Sequence, residues 1–257
     1  MWRGSKVGLV APALVMLLIG VACASGSGGP TRNPSAGPGG GLVACEALDK
    51  LHSYRYTFSF LISSPQPETP LDETQVVLPA FALPPNNPDF EYGQEFEGSV
   101  VAPDRIRQLV KNEGAPDLEL VYIGEEAWTY LSGQWIAASG PLPPSFPPDQ
   151  VCSAVLSGPD FGGVVPVKEE LNGIATRRYR FERVDADTVG ILLGPQSDMG
   201  RLLKVYEMDV WLGEDGWPAR LEARSEGTYP SGRKMFIELT LEIKDVNAKD
   251  IEVEPPI

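Results

Sequence analysis

Near the end of the chain, residues 234–244 change character at almost every step. Met235, Ile237, Leu239, Leu241 and Ile243 are apolar, and around them stand Lys234, Glu238, Thr240, Glu242 and Lys244. Successive side chains of a strand point to opposite faces, so this stretch reads as a strand with one dry face and one wet face. The same period governs residues 53–62, where Tyr54, Tyr56, Phe58, Phe60 and Ile62 lie opposite Ser53, Arg55, Thr57 and Ser59. Residues 217–226 repeat it, with Ala219 and Leu221 against Arg220, Glu222 and Arg224. A sheet dry on one side and wet on the other is antiparallel.

Further strands are read at Phe96–Val101, Arg105–Val110, Leu118–Ile123, Ala127–Leu131, Gln134–Ala137, Val164–Glu170, Ala175–Val184 and Val205–Leu212. Short turns separate them, among them Ala102-Pro103-Asp104, Gly124-Glu125, Ser132-Gly133, Asn172-Gly173, Asp215-Gly216 and Ser231-Gly232, which mark sequential hairpins. Helical spacing is confined to Leu42–Leu51 and Asp149–Leu156, with a third short helix at Thr188–Leu193. The predicted fold is therefore mainly β (α+β), one broad antiparallel sheet with a few short helices. Strand twist accumulates across a wide sheet and curls it. The concave side is then apolar and larger than three short helices can cover, so an apolar cavity is expected. Its candidate lining follows from alternation alone. The first strand offers Tyr54, Tyr56, Phe58, Phe60 and Ile62; Leu118–Ile123 offers Leu118, Leu120 and Tyr122. The later strands offer Tyr206, Met208, Val210 and Leu212, then Met235, Ile237, Leu239 and Leu241. Ordinary core packing is the competing explanation for all of them.

Residues 64–91 are Pro-rich and irregular around an apolar patch, Val76, Val77, Leu78, Phe81 and Leu83. A loop of this length is a lid or membrane-touching element, or else an irregular strand on the sheet.

The chain begins with Arg3 and Lys6, then the uncharged run Val7–Ala22, then Cys23. A basic start, a short apolar core and a small residue before the cut describe an export signal, and the run is short for a bilayer span of about 20 residues. Ile19-Gly20-Val21-Ala22-Cys23 resembles the lipobox of bacterial lipoproteins, with Gly20 where Leu is more usual. That resemblance implies an acylated Cys23 as the mature N-terminus, fixed to the outer face of a bacterial membrane. Ala24–Gly41 holds seven Gly, three Pro and three Ser and buries nothing. The expected organisation is a signal peptide at 1–22, a lipid-anchored tether at 23–41 and one domain at 42–257.

Loss of Arg3 and Lys6 takes the formal charge from −14 to −16. Such a field disfavours nucleic acid and anionic head groups, both of which are bound through Lys/Arg clusters. Membrane attachment then falls to acyl chains, with two or more needed for stable anchoring. Cys45 and Cys152 remain as an even pair in an exported chain, which predicts a disulfide tying the first helix to the mid-chain helix. Two separate buried thiols are the alternative.

Catalytic and metal signatures are missing from the sequence. His52 is the one histidine, and no G-x-S-x-G, H-E-x-x-H, C-x-x-C or phosphate-binding glycine loop occurs. Asp185–Gly190 has Val at the fifth place of a calcium loop, and Gln196 stands at the twelfth. No cofactor, metal or enzymatic activity is expected.

Several segments resemble bacterial lipoproteins of the LolA-like fold, the group of LolA, LolB and the LppX/LprG-type mycobacterial lipoproteins. They are Leu51-His52-Ser53-Tyr54; Phe96-Glu97-Gly98-Ser99 with Ala102-Pro103-Asp104-Arg105; Tyr122-Ile123-Gly124-Glu125-Glu126-Ala127-Trp128 with Gly133-Gln134-Trp135; Asp209-Val210-Trp211 before Asp215-Gly216-Trp217-Pro218; and Lys244-Asp245-Val246-Asn247. The resemblance implies an open half-barrel of about eleven strands with helices across its mouth, holding acyl chains or another apolar ligand. It transfers no catalytic residue and no particular lipid contact. The leading expectation is a monomeric, membrane-anchored carrier that shields a lipid or acyl chain. The alternative is an envelope sensor or protein-interaction module on the same fold.

Overall fold

Alternation along the chain becomes a single antiparallel sheet of eleven strands. The computed structural model describes residues 41–65, 89–111, 116–131, 133–137, 147–156, 159–184, 203–228 and 232–256. The first meander comprises β1 (Ser53–Ser64), β2 (Phe90–Val101), β3 (Arg105–Lys111), β4 (Leu118–Ile123), β5 (Glu126–Leu131) and β6 (Gln134–Ala137). The second comprises β7 (Val167–Leu171), β8 (Ile174–Val184), β9 (Leu203–Gly213), β10 (Pro218–Thr228) and β11 (Lys234–Lys244). Across the sheet the order is β6-β5-β4-β3-β2-β1-β11-β10-β9-β8-β7. The chain thus builds outward from β1 to one edge, crosses to the opposite edge and builds inward to β11, which pairs with β1. Edges β6 and β7 stay apart, giving an open, curved half-barrel.

One rung shows how sequence period becomes core. Leu118, Val110, Phe96, Phe58, Leu241, Leu221, Val210 and Tyr179 are successive cross-strand partners over eight strands. All but the half-buried Leu118 are buried. Helix α1 (Gly41–Glu46) and helix α2 (Pro148–Leu156) join this cluster through Ala44, Cys45, Val151, Cys152, Val155 and Leu156. A disulfide links Cys45 to Cys152, with Cα atoms 5.6 Å apart. Gly41 makes the close approach of the two helices feasible, because a Cβ there would lie 2.1 Å from the Leu156 carbonyl oxygen. The single helix expected over Leu42–Leu51 is instead α1 followed by a 3-10 turn at Leu48–Lys50. Leu48 and Leu51 are still buried, so the apolar spacing is satisfied by the tighter turn.

The other face is wet and laced with cross-strand ion pairs, including Arg107–Glu119, Arg178–Asp209 and Arg224–Glu238. Each contributes little alone. Trp211 lies among them, with the Arg178 and Arg220 guanidinium carbons 5.0 and 5.7 Å from its ring centre and its indole N–H donated to Glu169. The C-terminal segment returns over the outer face of β4 and β5, where Val253 packs with Val121 and Trp128. Two segments that carry the sequence resemblance meet at the start of β1. The Asn247 side chain accepts from the backbone N–H of His52 at 2.8 Å, and Arg55 bridges Asp245 and Asp250.

Candidate functional site

Alternation places the candidate lining on the sheet face that carries α1 and α2. Tyr54, Tyr56, Phe58, Leu120, Met208, Val210, Leu212, Met235, Ile237, Leu239 and Leu241 are buried there. Phe60, Ile62, Leu118 and Tyr122 are half-buried. The Tyr206 side chain, the apolar patch Val76, Val77, Leu78, Phe81 and Leu83, the Thr188–Leu193 helix and Cys23 with its leader and residues 24–40 of the tether lie outside the described residues, while Gly41, expected in the tether, is buried at the start of α1.

The inner face is therefore not uniform. Beneath the helices, Tyr54, Tyr56 and Phe58 are at most 4% exposed. Further along β1, Phe60 and Ile62 regain exposure, and Tyr92, the cross-strand partner of Ile62, is 47% exposed. A continuous set of rings leads from the sealed part to this open part. Phe58 stacks on Phe96 at 5.5 Å, Phe96 lies 6.3 Å from Phe60, and Phe60 lies 6.0 Å from Tyr92. Ring pairs at these distances favour offset or tilted contact and present apolar edges to whatever lies against them. A cavity of about 190 Å³ lies elsewhere, at the β7 edge, lined by Val164, Val165, Val167, Arg178 and Arg180.

Alternation also brings in residues outside the candidate lining. Ile106, Gln108 and Val110 of β3 face the same side as Tyr122, Leu120 and Leu118 of β4, their register partners. The run Arg105-Ile106-Arg107-Gln108-Leu109-Val110 carries that signal, but its middle inward residue is polar and so escapes a search for apolar positions. Gln108 is fully buried. Neither its amide oxygen nor its amide nitrogen meets a hydrogen-bond partner among the described residues, and the same holds for the Tyr56 hydroxyl. A buried polar group without a partner costs about 1–3 kcal/mol, which makes this pair a poorly satisfied place on the inner face. Burial pushes the Tyr56 and Tyr54 hydroxyls far above the ordinary tyrosine range, with the Asp149 carboxylate of α2 adding to the shift in both.

Gly98 positions the Tyr56 ring. A Cβ at Gly98 would fall 2.5 Å from ring carbons of Tyr56 and 2.6 Å from its hydroxyl oxygen. The ring thus lies over Gly98, on the row that continues to Gln108. Gly98→Ala is expected to lower stability by about 1–3 kcal/mol through overpacking, read as the urea midpoint. An unchanged midpoint would mean that the ring swings aside freely.

No family model and no curated protein matches the sequence. Among solved structures, the chain is similar to the Pseudomonas aeruginosa MucA/MucB complex at 12% identity and a TM-score of 0.27, covering 81% of this chain and 58% of that one. It is similar to LprF from Mycobacterium bovis at 12% identity and a TM-score of 0.45, covering 84% and 95%. It is also similar, at 12% identity, a TM-score of 0.43 and coverage of 83% and 98%, to the Mycobacterium tuberculosis lipoprotein LppX, a member of the group that the sequence resembles.

Proposed function

We propose that the protein is an exported lipoprotein, anchored through an acylated Cys23 and the tether 23–41, whose half-barrel binds a lipid or acyl chain and shields it from water. The observation that carries the reading is the run of inward rings from sealed Phe58 to exposed Tyr92. An acyl chain laid along these rings gains about 0.8 kcal/mol per buried CH₂, so part of a chain suffices for useful affinity without polar recognition. No catalytic step enters this reading, because its whole chemistry is burial of apolar surface.

The test is native mass spectrometry of the full chain extracted gently from membranes, followed by displacement of a fluorescent acyl probe. Bound lipid and probe uptake are the expected results; protein that carries none and takes up none ends the proposal. Phe60→Ala is expected to weaken probe binding about tenfold, the equivalent of about 1.4 kcal/mol. An affinity unchanged by that substitution would remove the ring set from the binding surface.

A second reading, a protein-docking module, draws on the β7 edge, where Val165 and Val167 are 89% and 61% exposed beside Arg178 and Arg180. Cross-linking from position 165 to one envelope protein, in a chain that binds no lipid, would favour it.

A further inference from the structure

Polar residues interrupt some of the inner rungs and not others. The rung through Phe58 is apolar from Leu118 to Val210. The next inward row runs Thr129, Leu120, Gln108, Gly98, Tyr56 and Ile243. In it, Gly98 supplies no side chain, the Tyr56 ring lies in the space so left, and Gln108 stands at the next strand. Cross-strand partners keep their Cβ atoms about 4.5–5.5 Å apart. The Tyr56 hydroxyl, beside the Cβ position of Gly98, is therefore a near neighbour of the Gln108 amide. No hydrogen bond joins them, and both remain unpartnered among the described residues.

We propose that Gln108 and Tyr56 form a polar niche in the apolar wall that receives an uncharged hydroxyl, or an amide, of the bound ligand. The donor and acceptor inventory selects this class. The Gln108 carbonyl oxygen accepts only, its NH₂ group donates only, and the Tyr56 hydroxyl does either. A ligand group that satisfies the amide must both donate and accept. An ester or ketone accepts only and leaves the Gln108 oxygen bare; a hydroxyl or an amide N–H with its carbonyl completes it. The conclusion is the same whichever way the Gln108 amide is turned, because both its ends are unpartnered.

Charge narrows the class further. Among the described residues, the titratable groups that act on Tyr56 are Tyr54, Tyr122 and Asp149, none of them a cation. A carboxylate or phosphate would enter a desolvated site with no cation among the described groups acting on it, which the low dielectric of the interior penalises. Access is from the β4 side, where Tyr122 and Leu118, flanking Leu120, are only half-buried. The buried row Phe58, Phe96 and Val110 separates the niche from the open part of the face, so a chain anchored at Gln108 must cross that row at its half-buried end, Leu118, to reach Phe60 and Tyr92.

This inference rests on the lipid-binding reading and is tested beside it. The full chain is titrated at pH 8 with 1-dodecanol, methyl dodecanoate, dodecanoate and dodecane, each displacing the same fluorescent probe. The expected order is the alcohol ahead of the ester by about tenfold, with dodecanoate behind both. Gln108→Leu, close in volume and apolar, is expected to lose the preference for the alcohol over dodecane, and to melt at a higher temperature because a buried unpartnered amide is gone. Tyr56→Phe is expected to reduce the preference in the same direction. Chains that bind all four compounds alike before and after Gln108→Leu would overturn the niche, leave the lipid reading intact and assign the pair to buried water. Stronger binding of dodecanoate than of dodecanol would overturn it equally. A chain that binds none of the four overturns the lipid reading, and the niche with it.

Discussion

Replacing Cys45 and Cys152 together with alanine is expected to lower the unfolding midpoint by about 10–18 °C. The bond closes a loop of 107 residues. In the chain-entropy model a loop of that size restricts the unfolded state by about 4–5 kcal/mol, and a domain of this length loses about 2–4 °C per kcal/mol. The native state contributes as well. Helix α1 has six residues, far too few to persist alone, and it is held by α2 and by the sheet beneath. Calorimetry of the oxidised chain, the reduced chain and the double variant measures the effect. Reduction and double substitution should give the same midpoint. A shift under about 3 °C would show that packing of α1 and α2 suffices without the bond.

The second large effect is expected at Phe58. It is 1% exposed, sits in the centre of the eight-strand rung and stacks on Phe96. Phe58→Ala removes a ring from a site whose neighbours lie on three strands of one sheet and cannot collapse inward. The expected cost is about 3–5 kcal/mol. Phe60→Ala, two residues along the same strand and the same face, removes a half-buried ring and should cost less than half as much. Denaturant midpoints of the two variants give the comparison directly. Equal losses would contradict the division of the inner face into a sealed and an open part, on which the binding surface depends.

The elements most legible in the sequence are those whose alternation is strict. Strands β1 and β11 follow from their inward residues alone, and the turns at Asn172-Gly173 and Asp215-Gly216 fall where the glycines have positive φ, 79° and 85°. Strand β2 begins at Phe90, six residues before the expected start at Phe96, because pairing with β1 carries residues 91–95, in which only Tyr92 is apolar in body, into the sheet. Strand β7 begins at Val167 rather than Val164. Residues 161–163 form a 3-10 turn in which the Asp160 carboxylate accepts from the Gly162 N–H at 2.9 Å, a local hydrogen bond that competes with strand pairing. The segment Ile251-Glu252-Val253-Glu254 alternates over only four residues, too few to be read as a strand, yet both apolar side chains are buried, so only the folded sheet reveals its role. Of the candidate site, the apolar wall was readable and its polar break was not. Gln108 has the right place in the alternation and the wrong polarity, and a hydrophobic pattern cannot register a residue whose meaning lies in having no partner.

The seam between β1 and β11 joins parts of the chain that are far apart, as the Arg55–Asp245 contact across 190 positions illustrates. A chain synthesised N-terminus first offers β1 long before its second neighbour arrives. Until then one side of β1 is a bare row of amide donors and acceptors, a template for unwanted strand addition. Long-range pairing of this kind is intrinsically slow. Assembly thus favours any escort that shields this strand until the final hairpin docks, and a chain cut short before position 234 would leave two half-sheets with no means of joining.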